Sequence, residues 1–119
     1  MKFMSRLVVA ALLLQAWPAF ATTLTPAEAG KHVGETATVC GTVASAHLPQ
    51  NAREPILIDL DKRYPDQIFT IVILGRDRAK FGTLDQSVLG QHLCATAPIQ
   101  LYRGRPEMVL QDPGQLQKQ

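Results

Sequence analysis

The sequence predicts a mainly β domain of five strands, with a short helix ahead of the first and a helix between the third and the fourth. Three observations predict it. Apolar and polar residues alternate with period two over 36–46 and again over 91–101, the pattern of strands that bury one face. Clusters of Pro, Gly, Asn and Asp punctuate the apolar runs. Once a leader of 21 residues is set aside, the 119-residue chain leaves 98 (119 − 21), enough for one hydrophobic core and no second.

Taken in order, Thr25-Pro26-Ala27-Glu28 reads as a helix start. Thr25 caps, Pro26 suits the first helical position, and Glu28 completes a capping box. Gly30 and Gly34 bracket the end of this helix. The first strand, 36–46, turns Ala37, Val39, Gly41 and Val43 one way and Thr36, Thr38, Cys40, Thr42 and Ala44 the other. Gly41 within it marks a bulge or a sharp bend. A polar loop, 49–55, leads to the second strand, 56–61, with inner face Ile56, Ile58 and Leu60. After a turn over 62–67, the third strand, 68–74, is nearly all apolar, so it is buried on both faces or covered by a helix. Gly75 ends it, 76–81 has helical composition up to Gly82, and 85–89 suits a further helical turn. In the fourth strand, 91–101, Leu93, Ala95, Ala97 and Ile99 face the core, opposite His92, Cys94 and Thr96. A turn over 102–106 and a fifth strand, 107–111, follow, closed by Asp112-Pro113-Gly114. The polar residues 115–119 are expected to fray. This β-β-β-α-β-β order is that of the OB-fold, a partly open five-stranded barrel. A sandwich brings about seven strands, more than the sequence offers.

The first 21 residues have the parts of an export signal. Lys2 and Arg6 form a positive start, 7–14 is an unbroken apolar run, and Ala19-Phe20-Ala21 offers the small-x-small pattern of a cleavage site. The division expected is signal peptide 1–21 and OB-fold domain 22–119, in a periplasmic or secreted setting. The apolar run is too short for a membrane span, which takes about 20 residues, and no later run replaces it. Two cysteines, Cys40 and Cys94, in an exported chain read as a disulfide. Both fall on the outer faces of strands that are antiparallel neighbours in an OB barrel, within the Cα separation of roughly 4.4–6.8 Å that a bridge needs. The formal charge of +2 is carried by the leader. Without Lys2 and Arg6 the 12 basic residues become 10, equal to the 10 acidic ones. Any basic site must therefore come from clustering.

Catalytic and metal chemistry find little support. Asp59 and Asp61 are two apart on a strand, about 7 Å along one face, a pairing that can serve glycoside hydrolysis or a divalent cation but reads here as solvated. His32, His47 and His92 lack the close ligand spacing zinc uses. No Gly-x-Ser-x-Gly turn and no Gly-rich phosphate loop occurs. The expectation is a non-enzymatic protein without metal or cofactor.

Three segments resemble small exported bacterial OB-fold proteins described as nucleic-acid binding. They are Gly34-Glu35-Thr36-Ala37-Thr38-Val39-Cys40-Gly41-Thr42-Val43; Leu60-Asp61-Lys62-Arg63-Tyr64-Pro65 followed by Phe69-Thr70; and Tyr102-Arg103-Gly104-Arg105-Pro106-Glu107-Met108-Val109 with Asp112-Pro113. The resemblance implies an OB-fold and a nucleic-acid class of ligand. An OB binding face lies on strands two and three and is flanked by the first-to-second and fourth-to-fifth loops. Arg53 lies in the first of these loops and Tyr102, Arg103 and Arg105 in the second; Lys62, Arg63 and Tyr64 follow strand two. These seven are the candidate ligand residues, expected to meet in one groove. Asp59 and Asp61 fall on the outer face where a phosphate backbone would run. Tyr102 is either a stacking platform or a packed barrel corner. The partners that fit are single-stranded nucleic acid or another polyanion, and alternatively an envelope protein docked on the same face.

Overall fold

A computed structural model describes residues 22–119; the leader assigned to 1–21 lies outside the described residues. Eight strands form: β1 (Thr22–Leu24), β2 (Thr36–His47), β3 (Ile56–Leu60), β4 (Thr70–Ile73), β5 (His92–Pro98), β6 (Gln100–Tyr102), β7 (Arg105–Leu110) and β8 (Leu116–Lys118). The five predicted strands correspond to β2, β3, β4, β5 and β7. The sheet order is β6-β7-β4-β3-β2-β5-β8, with β1 paired in parallel to β2. β4 and β7 pair in parallel and the other ladders of this path are antiparallel. No ladder joins β5 to β7, so the sheet is curled but not closed.

Three differences from the expected five-stranded barrel have local causes. The predicted fourth strand is cut at Pro98, which has no N–H to donate. The chain then bends at Ile99, whose N–H bonds to Glu35 O at 2.9 Å, and β6 hairpins with β7 instead. The tail expected to fray is ordered as β8, because Leu116 packs against the core opposite Ala95. Among the described residues all the helical segments are 3₁₀ rather than α: Pro26–Lys31, Gly75–Phe81, Gln86–Val88 and Pro113–Gln115. Each has at most seven residues, too few for a stable α-helix on its own.

The alternation predicts the core well. Ala37, Val39 and Val43 on β2, Ile56, Ile58 and Leu60 on β3, and Leu93, Ala95, Ala97 and Ile99 around β5 are all buried, with Phe69, Ile71, Ile73, Met108 and Leu110. Each of the larger ones contributes about 1.5–3 kcal/mol on burial. β2 serves two partners. Its first half, Thr36 to Thr42, pairs with β5, and its second half, Val43 to His47, pairs with β3. The register slips by one residue between Val43 and Ser45, so the irregularity sits at Ala44 and not at Gly41. Gly41 serves close approach instead: a methyl group there would meet Pro26 Cγ at 2.7 Å and Asp61 Oδ1 at 2.8 Å.

Cys40 and Cys94 stand directly opposite each other and are bonded, with Cα atoms 4.0 Å apart. That is slightly closer than the expected range and suits the narrow, non-hydrogen-bonded pairs of an antiparallel ladder. The next such pair brings the Thr38 and Thr96 hydroxyls to 2.7 Å. A disulfide is consistent with an oxidising compartment. The bridge spans a sequence separation of 54, so removing it with Cys40→Ser and Cys94→Ser is expected to lower stability by about 4 kcal/mol on the chain-entropy model. Urea denaturation measures this, and thiol titration of the unfolded, unreduced wild-type chain should find no reactive thiol.

The capping box forms as read. Glu28 Oε1 accepts from the Thr25 N–H at 3.0 Å and from the Thr25 hydroxyl at 2.9 Å. These bonds, the backbone one first, hold the Glu28 carboxyl below its ordinary range. A carboxyl depressed in the folded state adds stability above its unfolded pKa and loses it as pH falls through the folded value. The melting-temperature gap between wild type and Glu28→Gln is therefore expected at neutral pH and should vanish in acid.

Candidate nucleic-acid interface

The outer faces of the strands build the site. Register aligns Leu57, Val72 and Val109 as one cross-strand row on β3, β4 and β7. The next row runs Ser45, Asp59, Thr70, Glu107, Gln100 across five strands. Both rows floor a groove of about 1260 Å³. The third strand is read from the sequence as buried on both faces or covered by a helix, and the first alternative holds: Val72, on its outer side in the groove floor, is 7 % exposed.

Asp59 is the buried centre of the polar row. Ser45 Oγ donates to its Oδ2 at 2.7 Å and Thr70 Oγ1 to its Oδ1 at 2.8 Å. Ser45 Oγ in turn accepts from the Tyr64 N–H at 3.0 Å, which ties the 61–69 loop to the floor. Asp61 does not share the face of Asp59. β3 ends at Leu60, Asp61 takes φ 67°, and its Oδ1 accepts from the Thr42 N–H at 2.9 Å. The two are therefore no carboxylate pair.

Of the seven candidate residues, the structure brings four together. Tyr64, Tyr102, Arg103 and Arg105 all line the groove at the same end. Tyr64 is 71 % exposed and Tyr102 57 %, so Tyr102 is a surface platform and not a packed corner. The hairpin tip between β6 and β7 takes positive φ at both Arg103 (51°) and Gly104 (77°), the requirement of a tight type I′ turn that glycine meets without strain. It leaves the Arg103 guanidinium 5.2 Å from the Tyr102 ring centroid, within cation–π range. Arg105 is turned inward to the neighbouring loop: its Nη1 donates to Pro65 O at 2.8 Å and to Gln67 O at 3.4 Å. It is a clamp that positions the Tyr64 loop against the hairpin.

Lys62 and Arg63 are exposed in the same loop but outside the groove lining. Arg53 lies at the far end. The ladders place Ile56, Ile73 and Leu110 at that end and Asp59, Thr70 and Glu107 beside the hairpin. The Arg53 backbone packs on Gly75. Arg78, which sequence reasoning passed over, holds that loop by donating to Asn51 O (2.8 Å), Glu54 O (3.0 Å) and Pro49 O (2.9 Å). Ser45 and Thr70 were missed as well; their outward positions beside Asp59 on paired strands were the available signal. Among the described residues no three His, Cys, Asp or Glu gather into a metal-holding group, and no helix is long and apolar enough to cross a membrane.

Several solved structures are similar to this chain, among them the following two. A protein described as an aspartyl-tRNA synthetase from Leishmania major Friedlin superposes with a TM-score of 0.56 at 8 % identity, over 88 % of this chain and 22 % of its own. The Stn1-Ten1 complex of S. pombe gives a TM-score of 0.50 at 12 % identity, over 71 % of this chain and 57 % of its own. The chain thus spans about a fifth of the first and somewhat over half of the second. No family model matches the chain, and none of the curated proteins does. With β2, β3, β4, β7 and β5 in the positions of the five OB strands, one conclusion follows. The chain has an OB-type fold. The groove occupies the second and third strands of that fold, the face with which OB-folds bind their ligands.

The different duties of the two hairpin arginines can be separated. Arg105→Ala is expected to lower stability by about 1 kcal/mol, since it removes charge-assisted bonds on an exposed side chain, and to speed amide exchange across 62–67. Arg103→Ala should leave both unchanged. Thermal melts with hydrogen exchange measure the contrast, and equal effects would contradict the clamp.

Proposed function

We propose that this domain binds single-stranded nucleic acid, or a related polyanion, in the groove and carries out no reaction on it. The observation that carries the reading is the pair of exposed tyrosines, Tyr64 and Tyr102, with the Arg103 guanidinium, at the end of a long groove with an apolar row in its floor. Bases stack on such rings without sequence preference, at about 1–3 kcal/mol each, and apolar floor residues accept the base faces. Arg103 is left to meet phosphate at the rim. The likeness to a protein described as a tRNA synthetase is in keeping with this ligand class. The leader in 1–21 and the Cys40–Cys94 bond support an exported, periplasmic or secreted setting. The apolar row Leu57, Val72 and Val109 in the groove floor favours a second reading, the docking of an envelope protein on the same face.

Fluorescence polarisation with labelled single-stranded oligonucleotides tests the proposal. Binding at low salt is expected, with a shallow salt dependence of about one or two released counterions, because Arg103 is the groove-lining arginine not bonded to main-chain carbonyls. Tyr64→Ala and Tyr102→Ala should each cost about 1–3 kcal/mol of affinity at unchanged melting temperature. No binding at low salt would remove the nucleic-acid reading and leave the docking module.

A further inference from the structure

The polar row of the groove floor is rich in acceptors. Asp59 and Glu107 flank Thr70 across the sheet, about 10 Å apart from two strand spacings. No Lys or Arg of the described residues pairs with either carboxylate. The Asp59 oxygens each hold one internal donor, Ser45 and Thr70. Glu107 is half-buried; its Oε1 accepts from Gln100 Nε2 at 2.7 Å, and its Oε2 has no protein donor among the described residues. Neither groove-lining guanidinium neutralises the floor: Arg105 bonds main-chain carbonyls, and Arg103 lies over Tyr102 at the rim. A phosphate cannot settle on such a floor. A group that donates N–H can.

Resting on the nucleic-acid reading above, we propose that Glu107 makes the groove select bases by their N–H donors, with guanine preferred and thymine disfavoured. A strand then lies with its bases down and its phosphates along the rim near Arg103. The Watson–Crick edges of single-stranded bases are free to be read in this way. Guanine presents two adjacent donors, N1–H and N2–H, which match the two oxygens of one carboxylate in charge-assisted bonds. Adenine and cytosine present an amino group beside a ring acceptor. Thymine has a single N–H between two carbonyls, whose oxygens would face the carboxylate.

The test compares three probes of equal length on the wild-type chain: oligo-dT, alternating dT–dG, and the same strand with inosine for guanine, which lacks the N2 amino group. The dT–dG strand should bind at least about five-fold tighter than oligo-dT, the lower end for a bidentate base contact, with the inosine strand between them. Glu107→Gln should abolish the preference. Equal or tighter binding of oligo-dT by the wild type overturns this inference while leaving nucleic-acid binding intact. A preference retained in a folded Glu107→Gln variant overturns it too. The inosine arm needs no variant and decides the point if Glu107→Gln fails to fold. No binding of any strand fails the reading on which the inference rests.

Discussion

The structure depends on one strand serving two partners. β2 gives its first half to β5 and its second to β3, and the curl between them is what turns a row of strands into a barrel wall. The bend is held from inside by close packing. Pro26, Leu60 and Asp61 crowd the Cα of Gly41 from the core side, and Asp61 locks the crossing with reciprocal bonds to Thr42: its N–H to Thr42 O at 2.7 Å and its carboxylate from the Thr42 N–H. The 3₁₀ segment begun by Pro26 and the end of β3 therefore meet at a residue with no side chain. The disulfide staples the half of β2 that faces away from the groove, so the bridge steadies the wall without intruding on the ligand face.

The other half of β2 carries Ser45 to the groove, and through it the buried Asp59 carboxylate reaches the Tyr64 loop. Burying a carboxylate is costly unless its lone pairs are met, and Ser45 and Thr70 meet two of them from the neighbouring strands. One polar centre thus fixes the register of β2, β3 and β4 at the groove and the anchor point of the loop above it. The sheet and the site share a component, so the placement of Tyr64 rests on strand pairing as well as on the Arg105 clamp.

Most of the fold was legible because a half-buried strand writes its burial into alternate positions. The inner faces of β2, β3 and β5 and the Cys40–Cys94 pairing were all readable from period two and strand order. The short edge strands were not. β6 and β8 expose nearly every residue, so no alternation marks them; their pairing comes from the sheet edges they meet. In the site, the aromatic and basic residues of the hairpin were legible as types, but their duties were not. Arg103 and Arg105 are chemically alike in the sequence. The hairpin turn sends one over Tyr102 and the other to the carbonyls of Pro65 and Gln67. Arg53 lies in the loop predicted for it, between β2 and β3, but that this loop and the hairpin stand at opposite ends of the groove was not legible from loop membership alone.

Both ends of the groove are held by the same kind of bond. Arg105 at one end and Arg78 at the other donate to main-chain carbonyls. Guanidinium stays protonated across the accessible pH range, and amide carbonyls do not titrate within it. Neither latch uses a carboxylate, so acidification by itself does not loosen the two ends of the groove, whereas the Asp59 centre between them is held by one.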